Sequence, residues 1–463
     1  MIKKSSFYVI IYSMKIKVKP HLVDLATKLN SPLYVVGGYV RNYLIDNSIS
    51  KDVDLSANIP TKDLCEVLCS QGFIVHSIYK NTGTVKFSKE GCTYEYTRFR
   101  TDNYRAGGAH TPDSTTFTDD IKKDALRRDF KCNAIYYDVL NDEVIDVLGG
   151  IKDVQNKTLS TVTDARTVFS SDGLRLMRLA RFSGELGFTP NDDAIKGATE
   201  FACNIKDISP ERIYDELKKI LLADKKYAFS PDNGHYLGLK VLERTGVLDI
   251  VIPELTLGKN MPQRKDFHDY DVLEHSLRCA LYAEPEVRFD ALLHDVGKPF
   301  CLKRDNAYKL HDKEGVWIAD NILSRLKAPK KDVERIKFCI GTHMLDLKND
   351  MTEKEIRKFI VKNPKYLQEL FWVRQADYSA CKDDTRENAG VKKWKKILGK
   401  MIAEGVPFTH KGLKVSAEEL INVGIEKKNL KNTFDFLLEN VAVSPDQNEK
   451  GALIKHALSF NCH

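Results

Sequence analysis

Nowhere in the 463 residues do two cysteines stand in a C-x-x-C pair, although the chain holds ten. Scattered cysteines exclude a zinc ribbon or a disulfide scaffold readable from spacing. They fit small apolar core residues of a reducing, cytoplasmic protein. Long apolar runs are missing too. The most hydrophobic stretch, Phe7–Tyr12, is too short to span a bilayer and is followed by no small-residue cleavage site, so neither a membrane span nor a signal peptide is expected. Met14 opens a more ordinary beginning, and residues 1–13 read either as a dispensable extension or as a misassigned start. Short repeats and low-complexity tracts are absent, which excludes a solenoid. Neither sign of charge dominates: 72 Lys and Arg against 65 Asp and Glu leave a net +7. That balance admits a polyanionic partner without identifying one.

What remains has two textures. Residues 16–150 alternate short strands with helices, the strands expected at Leu33–Val36, Val53–Ser56, Thr84–Ser88, Tyr94–Arg98 and Cys132–Tyr137. Beyond residue 165 apolar residues recur at spacings of three and four, and the run from Leu174 predicts a helix closed near Gly187. The expected fold is an α/β head followed by an all-α neck, body and tail. The expected segments are a head over 1–150, a helical body over 151–262, a third segment over 263–390 and a tail over 391–463. Joints are expected around Gly258–Asp266 and Gly390–Gly405.

In the head, Tyr34–Asn42 runs a buried strand into Gly37-Gly38 and a helix. Such a turn lets an anion approach the backbone amides, with Arg41 adding a charge-assisted bond. A plain strand-to-helix turn has the same letters. On the next strand Asp52 and Asp54, two residues apart, point to one face. Paired oxygen ligands suit Mg²⁺ bound together with substrate phosphates, although a solvated strand end also carries such pairs. Glu95, on a later strand, is either a third carboxylate beside them or an exposed strand residue. Asp172, Arg175, Arg178 and Arg181 recur every third residue, so neighbours in the series share helix surface. A carboxylate and a guanidinium at that spacing offer an acceptor and several donors to the edge of a base.

In order and spacing, GGYVRN, KDVDLS, Gly83–Val85, Arg127–Ala134 and Ser171–Phe182 resemble the class II tRNA nucleotidyltransferase and poly(A) polymerase family through residues 30–220. The resemblance implies a polymerase-β-like head in which Asp52 and Asp54 hold catalytic Mg²⁺ and Gly38 and Arg41 hold nucleotide phosphates. It implies that Arg128, with Asp129 and the more exposed Arg127, contacts the incoming nucleotide. Asp172 and Arg175 would act as the protein template, and Arg178 and Arg181 would reach the triphosphate or position that pair. The implied partners are tRNA, CTP and ATP. The polar segment Arg100–Phe117 is expected to be a mobile loop that helps the pocket change from C to A. Three positions depart from the family: Asn42 and Ser171 replace carboxylates, and Gly173 replaces a proline. Ser171 is expected to cap the following helix.

Further on, His275, the adjacent His294 and Asp295 of HDVGK, and Asp377 resemble the HD superfamily of metal-dependent phosphohydrolases. That likeness implies a second divalent ion, with His311 and His343 widening the site or touching a phosphate. The tail, with GLKVSAEELINVGI, resembles that of bacterial tRNA nucleotidyltransferases. There Lys392–Lys396 and Lys427–Lys431 are either phosphate contacts or solvated helix faces. Open alternatives are an A-adding or CC-adding enzyme, a poly(A) polymerase, or an HD phosphohydrolase with a nucleotide-binding head.

Overall fold

In the computed structural model, residues 10–13, 15–103 and 113–461 are described. Two compact units result, Met1–Pro253 and Glu254–His463.

Over residues 10–146 the described part of the first unit carries ten strands: β1 Ile10–Ser13, β2 Tyr34–Val36, β3 Asp52–Ala57, β4 Ile74–Tyr79, β5 Thr84–Lys89, β6 Cys92–Arg98, β7 Arg100–Asn103, β8 Ser114–Phe117, β9 Ile135–Asp138 and β10 Glu143–Asp146. Eight of them make one sheet in the order β1-β10-β9-β2-β3-β6-β5-β4. Only the β3–β6 pair is parallel, and its register sets Asp52 opposite Thr93 and Asp54 opposite Glu95. In β3, Val53 and Leu55 face the core while Asp52 and Asp54 are exposed, as the two-residue period requires. Strand β9 is buried throughout because it lies between β10 and β2. The strand expected over Cys132–Tyr137 begins only at Ile135, because Lys131–Asn133 turns as a 3₁₀ helix. Of the segment expected to be a mobile loop, residues 104–112 lie outside the described residues. Its flanks β7 and β8 pair antiparallel, from Arg100 opposite Phe117 to Asn103 opposite Ser114.

The long arginine-bearing helix spans Leu174–Leu186 and ends at Gly187, whose φ of 67° is the left-handed conformation that glycine takes most readily. It packs most closely on the helix Gly234–Arg244. A Cβ on Gly184 would lie 2.4 Å from the carbonyl oxygen of Gly234, and the converse substitution meets the Gly184 carbonyl at the same distance. The two backbones touch, and this contact seats the helix that carries the arginines.

The second unit is helical. Through the expected joint at Gly390–Gly405 runs a helix, Ala389–Ala403, instead. Val391, Trp394, Ile397 and Met401 bury one face of it in a single apolar cluster reaching from Ile356 to Ala457. Of the basic run around it, Lys393 donates to the carbonyls of Asn349 and Met351, which ties it to the fold. No helix among the described residues is long and apolar enough to cross a membrane.

Gly184→Ala should lower stability by about 1–3 kcal/mol, the usual cost of overpacking. A fall in the urea midpoint with the slope unchanged is the expected reading, and an unchanged midpoint would mean that the two helices give way without cost.

Candidate active site

A cleft of about 640 Å³ opens in the first unit and is lined by Gly37, Gly38, Arg41, Asp54, Arg128, Asp129, Asp172, Arg175, Arg178 and Arg181, among others. Nearly every residue singled out in the head thus meets at one place. Asp52 and Glu95 are on the same face of the sheet as Asp54 by register.

The floor follows from the turn after β2. Gly37 has φ 78° and precedes the helix Gly38–Asp46. A Cβ there would lie 3.0 Å from Asp54 Oδ2, so glycine leaves that carboxylate room. Asp54 opens to the cleft, yet the crowding of its walls pushes the carboxyl above the usual range. Glu95 and Asp52 push the same way, while Arg128 and Arg178 oppose it. Such repulsion is what a cation between the carboxylates would relieve. Asp52 accepts a bond from Thr93 Oγ1, and Glu95 pairs with Lys86 Nζ at 2.9 Å. These oxygen donors on one sheet face fit a hard divalent ion.

The cationic wall is fixed by buried anions. Asp124, fully buried, accepts from Arg127 Nε at 2.8 Å, Arg128 Nη2 at 3.1 Å and the Tyr136 hydroxyl at 2.7 Å. Arg128 also lies over the Tyr136 ring, 5.3 Å from its centroid. Asp129 Oδ2 accepts from Arg178 Nε at 2.7 Å and from its Nη2. Arg181 Nε is 3.1 Å from Glu216. Arg41 is 1% exposed, so it belongs to the floor: it donates to Asn133 Oδ1, to Tyr227 at 3.2 Å, and to Asn42 Oδ1 from Nε at 3.0 Å and Nη2 at 2.8 Å. The amide at position 42 therefore orients Arg41 as a carboxylate would, without its charge.

The other two departures are also explained locally. Ser171 does not cap the arginine helix, because it ends the preceding one, Ala165–Ser171. Gly173 takes the cap position, and Asp172 before it accepts from Leu174 N at 2.9 Å through Oδ1. Ser171 Oγ accepts from Arg175 Nη1 at 3.2 Å, and Arg175 Nη2 donates to the Arg127 carbonyl at 2.7 Å. Gly173 is required here, since a Cβ would sit 2.2 Å from the Asn204 carbonyl oxygen. Sequence reasoning missed Asn133, Arg212 and Tyr227. Asp124 stands three and four residues before the two arginines it holds, the spacing at which salt bridges to them are expected. Arg212 and Tyr227 stand in no local pattern.

In the second unit, His275, His294, Asp295, His311 and His343 are all buried, with Asp377 beside them. His275 Nε2 lies 3.3 Å from His294 Nε2 and 3.1 Å from Asp377 Oδ1. His294 Nε2 is 3.1 Å from Asp295 Oδ2. On the other side, Asp295 Oδ1 is 3.1 Å from His311 Nε2, which is 3.2 Å from His343 Nε2. His294, His311 and His343 each set Nδ1 at 2.7 Å from the backbone carbonyl three residues earlier. That contact fixes the tautomer and turns an Nε2 lone pair toward Asp295. Burial alone would raise the Asp295 carboxyl, but His294 and Lys298 hold it well below the usual range.

Comparison with known proteins bears on the chain as a whole and not on single residues of the site. Residues 33–160 match the poly A polymerase head domain, and residues 187–257 match the probable RNA and SrmB-binding site of polymerase A. By these matches the chain is similar to poly A polymerase family proteins over residues 33–160 and 187–257. An A-adding tRNA nucleotidyltransferase of Deinococcus radiodurans is 32% identical over 58% of this chain and 63% of its own length. A multifunctional CCA protein of Xylella fastidiosa is 30% identical over 56% of this chain and 64% of its own. The chain thus spans less than two thirds of either relative. In fold it is similar to the Bacillus stearothermophilus CCA-adding enzyme in complex with CTP, with a TM-score of 0.66 at 21% identity, covering 96% of this chain and 98% of that one. The Thermotoga maritima CCA-adding enzyme complexed with tRNA gives 0.62 at 16%, covering 98% and 99%.

The buried pair makes an acid-stability prediction. Burial would raise the Asp129 carboxyl, but Arg178 outweighs it and draws it from 3.8 down to about 2. A depressed folded value contributes stability above the unfolded value and loses it as pH falls through the folded one, on the order of 2 kcal/mol here. Asp129→Asn should therefore flatten the fall in stability between pH 3.8 and about 2. Urea melts at closely spaced pH values would show it, and parallel acid limbs in the two proteins would refute it.

Proposed function

We propose that this chain adds or repairs the 3′-terminal CCA of tRNA, using CTP and ATP without a nucleic-acid template. The observation that carries the reading is the meeting, in one cleft, of Asp54 with the buried-anion-held guanidiniums and the Asp172–Arg175 pair. Asp52 and Asp54, with Glu95 as register neighbour of Asp54, would hold Mg²⁺. When bound, it activates the attacking hydroxyl and neutralises the leaving pyrophosphate. The chain's own residues do the rest. Arg128 and Arg178 present fixed positive charge to the triphosphate, with Arg41 and Arg181 beneath and beside them. Asp172 accepts from the exocyclic amino group that cytosine and adenine share. Arg175, its plane set by Ser171 and the Arg127 carbonyl, donates to the ring edge.

Transcripts of tRNA lacking CCA, CA or the final A, each given CTP and ATP, test the reading. Growth of all three supports complete addition. Growth of only the last identifies an A-adding enzyme, and growth stopping after two cytidines a CC-adding one. Long adenosine tails identify a poly(A) polymerase. Asp54→Ala should abolish incorporation, and near-normal turnover would overturn the assignment of the head. Arg175→Ala should reduce use of both nucleotides by one to two orders of magnitude, from loss of a charged hydrogen bond of about 1.5–3 kcal/mol. Asp172→Ala should admit UTP or GTP, and unchanged selectivity among the four nucleotides would remove the pair from the role of template.

A second reading concerns the histidine cluster. Its observation is that each oxygen of Asp295 faces its own pair of histidine Nε2 atoms. His275, His294, Asp295 and Asp377 would hold one divalent ion, and His311 and His343 with Asp295 a second. Mixed imidazole and carboxylate donors suit a transition metal, and the resemblance to HD proteins makes phosphate-ester hydrolysis the associated activity. His294→Ala should lower the divalent metal retained by purified protein and leave CTP and ATP incorporation intact. Unchanged metal stoichiometry would place the ions elsewhere.

A further inference from the structure

We propose that His268, His275 and Cys381 form a further metal position, with two imidazole nitrogens and one thiolate, beside the Asp295 cluster and distinct from it. One ligand atom of each lies within 4.8 Å of the others. His275 is the exception among the clustered histidines. Its Nε2 faces Asp377 and His294, while its Nδ1, on a side chain 0% exposed, is buried without a hydrogen-bond partner. His268 Nδ1 is equally buried and unpartnered, and the two rings meet edge to face with centroids 4.9 Å apart. Buried polar atoms are nearly always satisfied, so two unsatisfied imidazole nitrogens side by side point to a missing ligand.

The third donor is built into the same frame. Cys381 stands one helical turn after Asp377 on Leu367–Lys382, so both side chains share one face. The segment carrying His268 is tied to that turn: Asp269 N donates to the Cys381 carbonyl at 3.0 Å. The Tyr270 hydroxyl donates to Asp383 Oδ2 at 2.5 Å. Binding would exchange the thiol proton, released to solvent, for the cation. Two nitrogens and a sulfur select zinc, cobalt or cuprous copper over magnesium. His275 would then serve two ion positions through its opposite nitrogens. The inference rests on these contacts and is independent of the hydrolytic reading.

Cobalt(II) added to the full-length, metal-stripped protein is the probe. Sulfur-to-cobalt charge-transfer absorption should appear, and Cys381→Ser should abolish it while nucleotide incorporation stays unchanged. His294→Ala, which depletes the Asp295 centre, should keep the band. Variant folding is bypassed by a second measurement on the unaltered chain. Zinc should protect Cys381 from alkylation, as read by peptide mass spectrometry. Absence of the band from the unaltered protein together with unprotected Cys381 overturns the proposal, as does a band that survives in Cys381→Ser. If His294→Ala retains all its metal while Cys381 stays protected, only the Asp295 assignment falls.

Discussion

The bond between Asp129 and Arg178 is the constraint on which the cleft of the first unit depends. Asp129 comes from the turn before the 3₁₀ segment that leads into β9, and Arg178 from the middle of the helix Leu174–Leu186. Joining them holds the sheet that bears Asp54 and the helix that bears Arg175 in one body. Asp129 could not be buried alone, because an isolated ion away from water costs several kcal/mol even after relaxation, whereas Arg178 keeps part of its surface in solvent. The same logic recurs around the cleft, with Asp124 under Arg127 and Arg128 and Glu216 beside Arg181. A cleft that takes a triphosphate, as proposed, needs positive charge. The protein supplies it on tethered side chains: Arg127, Arg128, Arg178 and Arg181 pair with carboxylates, and Arg41 and Arg175 bond neutral acceptors. Little entropy is then left to lose when an anionic ligand arrives.

This arrangement also accounts for the three departures from the family pattern. Asn42 offers one oxygen to two donors of Arg41, which keeps that guanidinium in place although the carboxylate is gone. Ser171 gives Arg175 a neutral acceptor where a carboxylate is usual, and Asp172 still stands 3.8 Å from Arg175 Nε. Gly173 is dictated by backbone contact with Asn204. Neutral acceptors at positions 42 and 171 thus hold Arg41 and Arg175 without adding negative charge beside them.

Much of the head was legible because its site residues come in short, periodic blocks. Asp52 and Asp54 are two apart on a strand, Arg175, Arg178 and Arg181 three apart on a helix, and each spacing has one geometric meaning. Glu95 could not be placed by sequence, because its neighbour relation to Asp54 arises from a parallel pairing of β3 with β6 that spans forty-one residues. Arg212 and Tyr227 were invisible for a similar reason: tertiary packing alone brings them to the cleft. The expected joint near Gly390–Gly405 failed because Gly390 and Gly399 suggested a break, whereas Val391, Trp394, Ile397 and Met401 supply an apolar stripe that outweighs them. Helix starts were the other weak point. Ser171 and Asp172 are both good caps, and only the structure shows that one helix ends where the next begins.

The histidine cluster follows a different physical rule from the cleft. In the cleft the buried carboxylates Asp124 and Asp129 meet guanidiniums through hydrogen bonds that the chain itself supplies. In the cluster, Nε2 atoms face one another across Asp295, and three of the four imidazoles spend their Nδ1 on backbone carbonyls. Convergent lone pairs repel and cannot satisfy each other. Protons can take up part of that repulsion: Asp295 draws the His294 imidazole well above its ordinary value although burial opposes it. A divalent ion would do so more fully, by converting every facing lone pair into a bond. The fourth imidazole, His275, lacks the carbonyl contact that the others have, and its Nδ1 instead belongs to a group with His268 and Cys381. The cluster therefore has two unlike sides, one of imidazole and carboxylate and one that ends in sulfur. Which ions it prefers depends on whether His275 is committed through one nitrogen or through both.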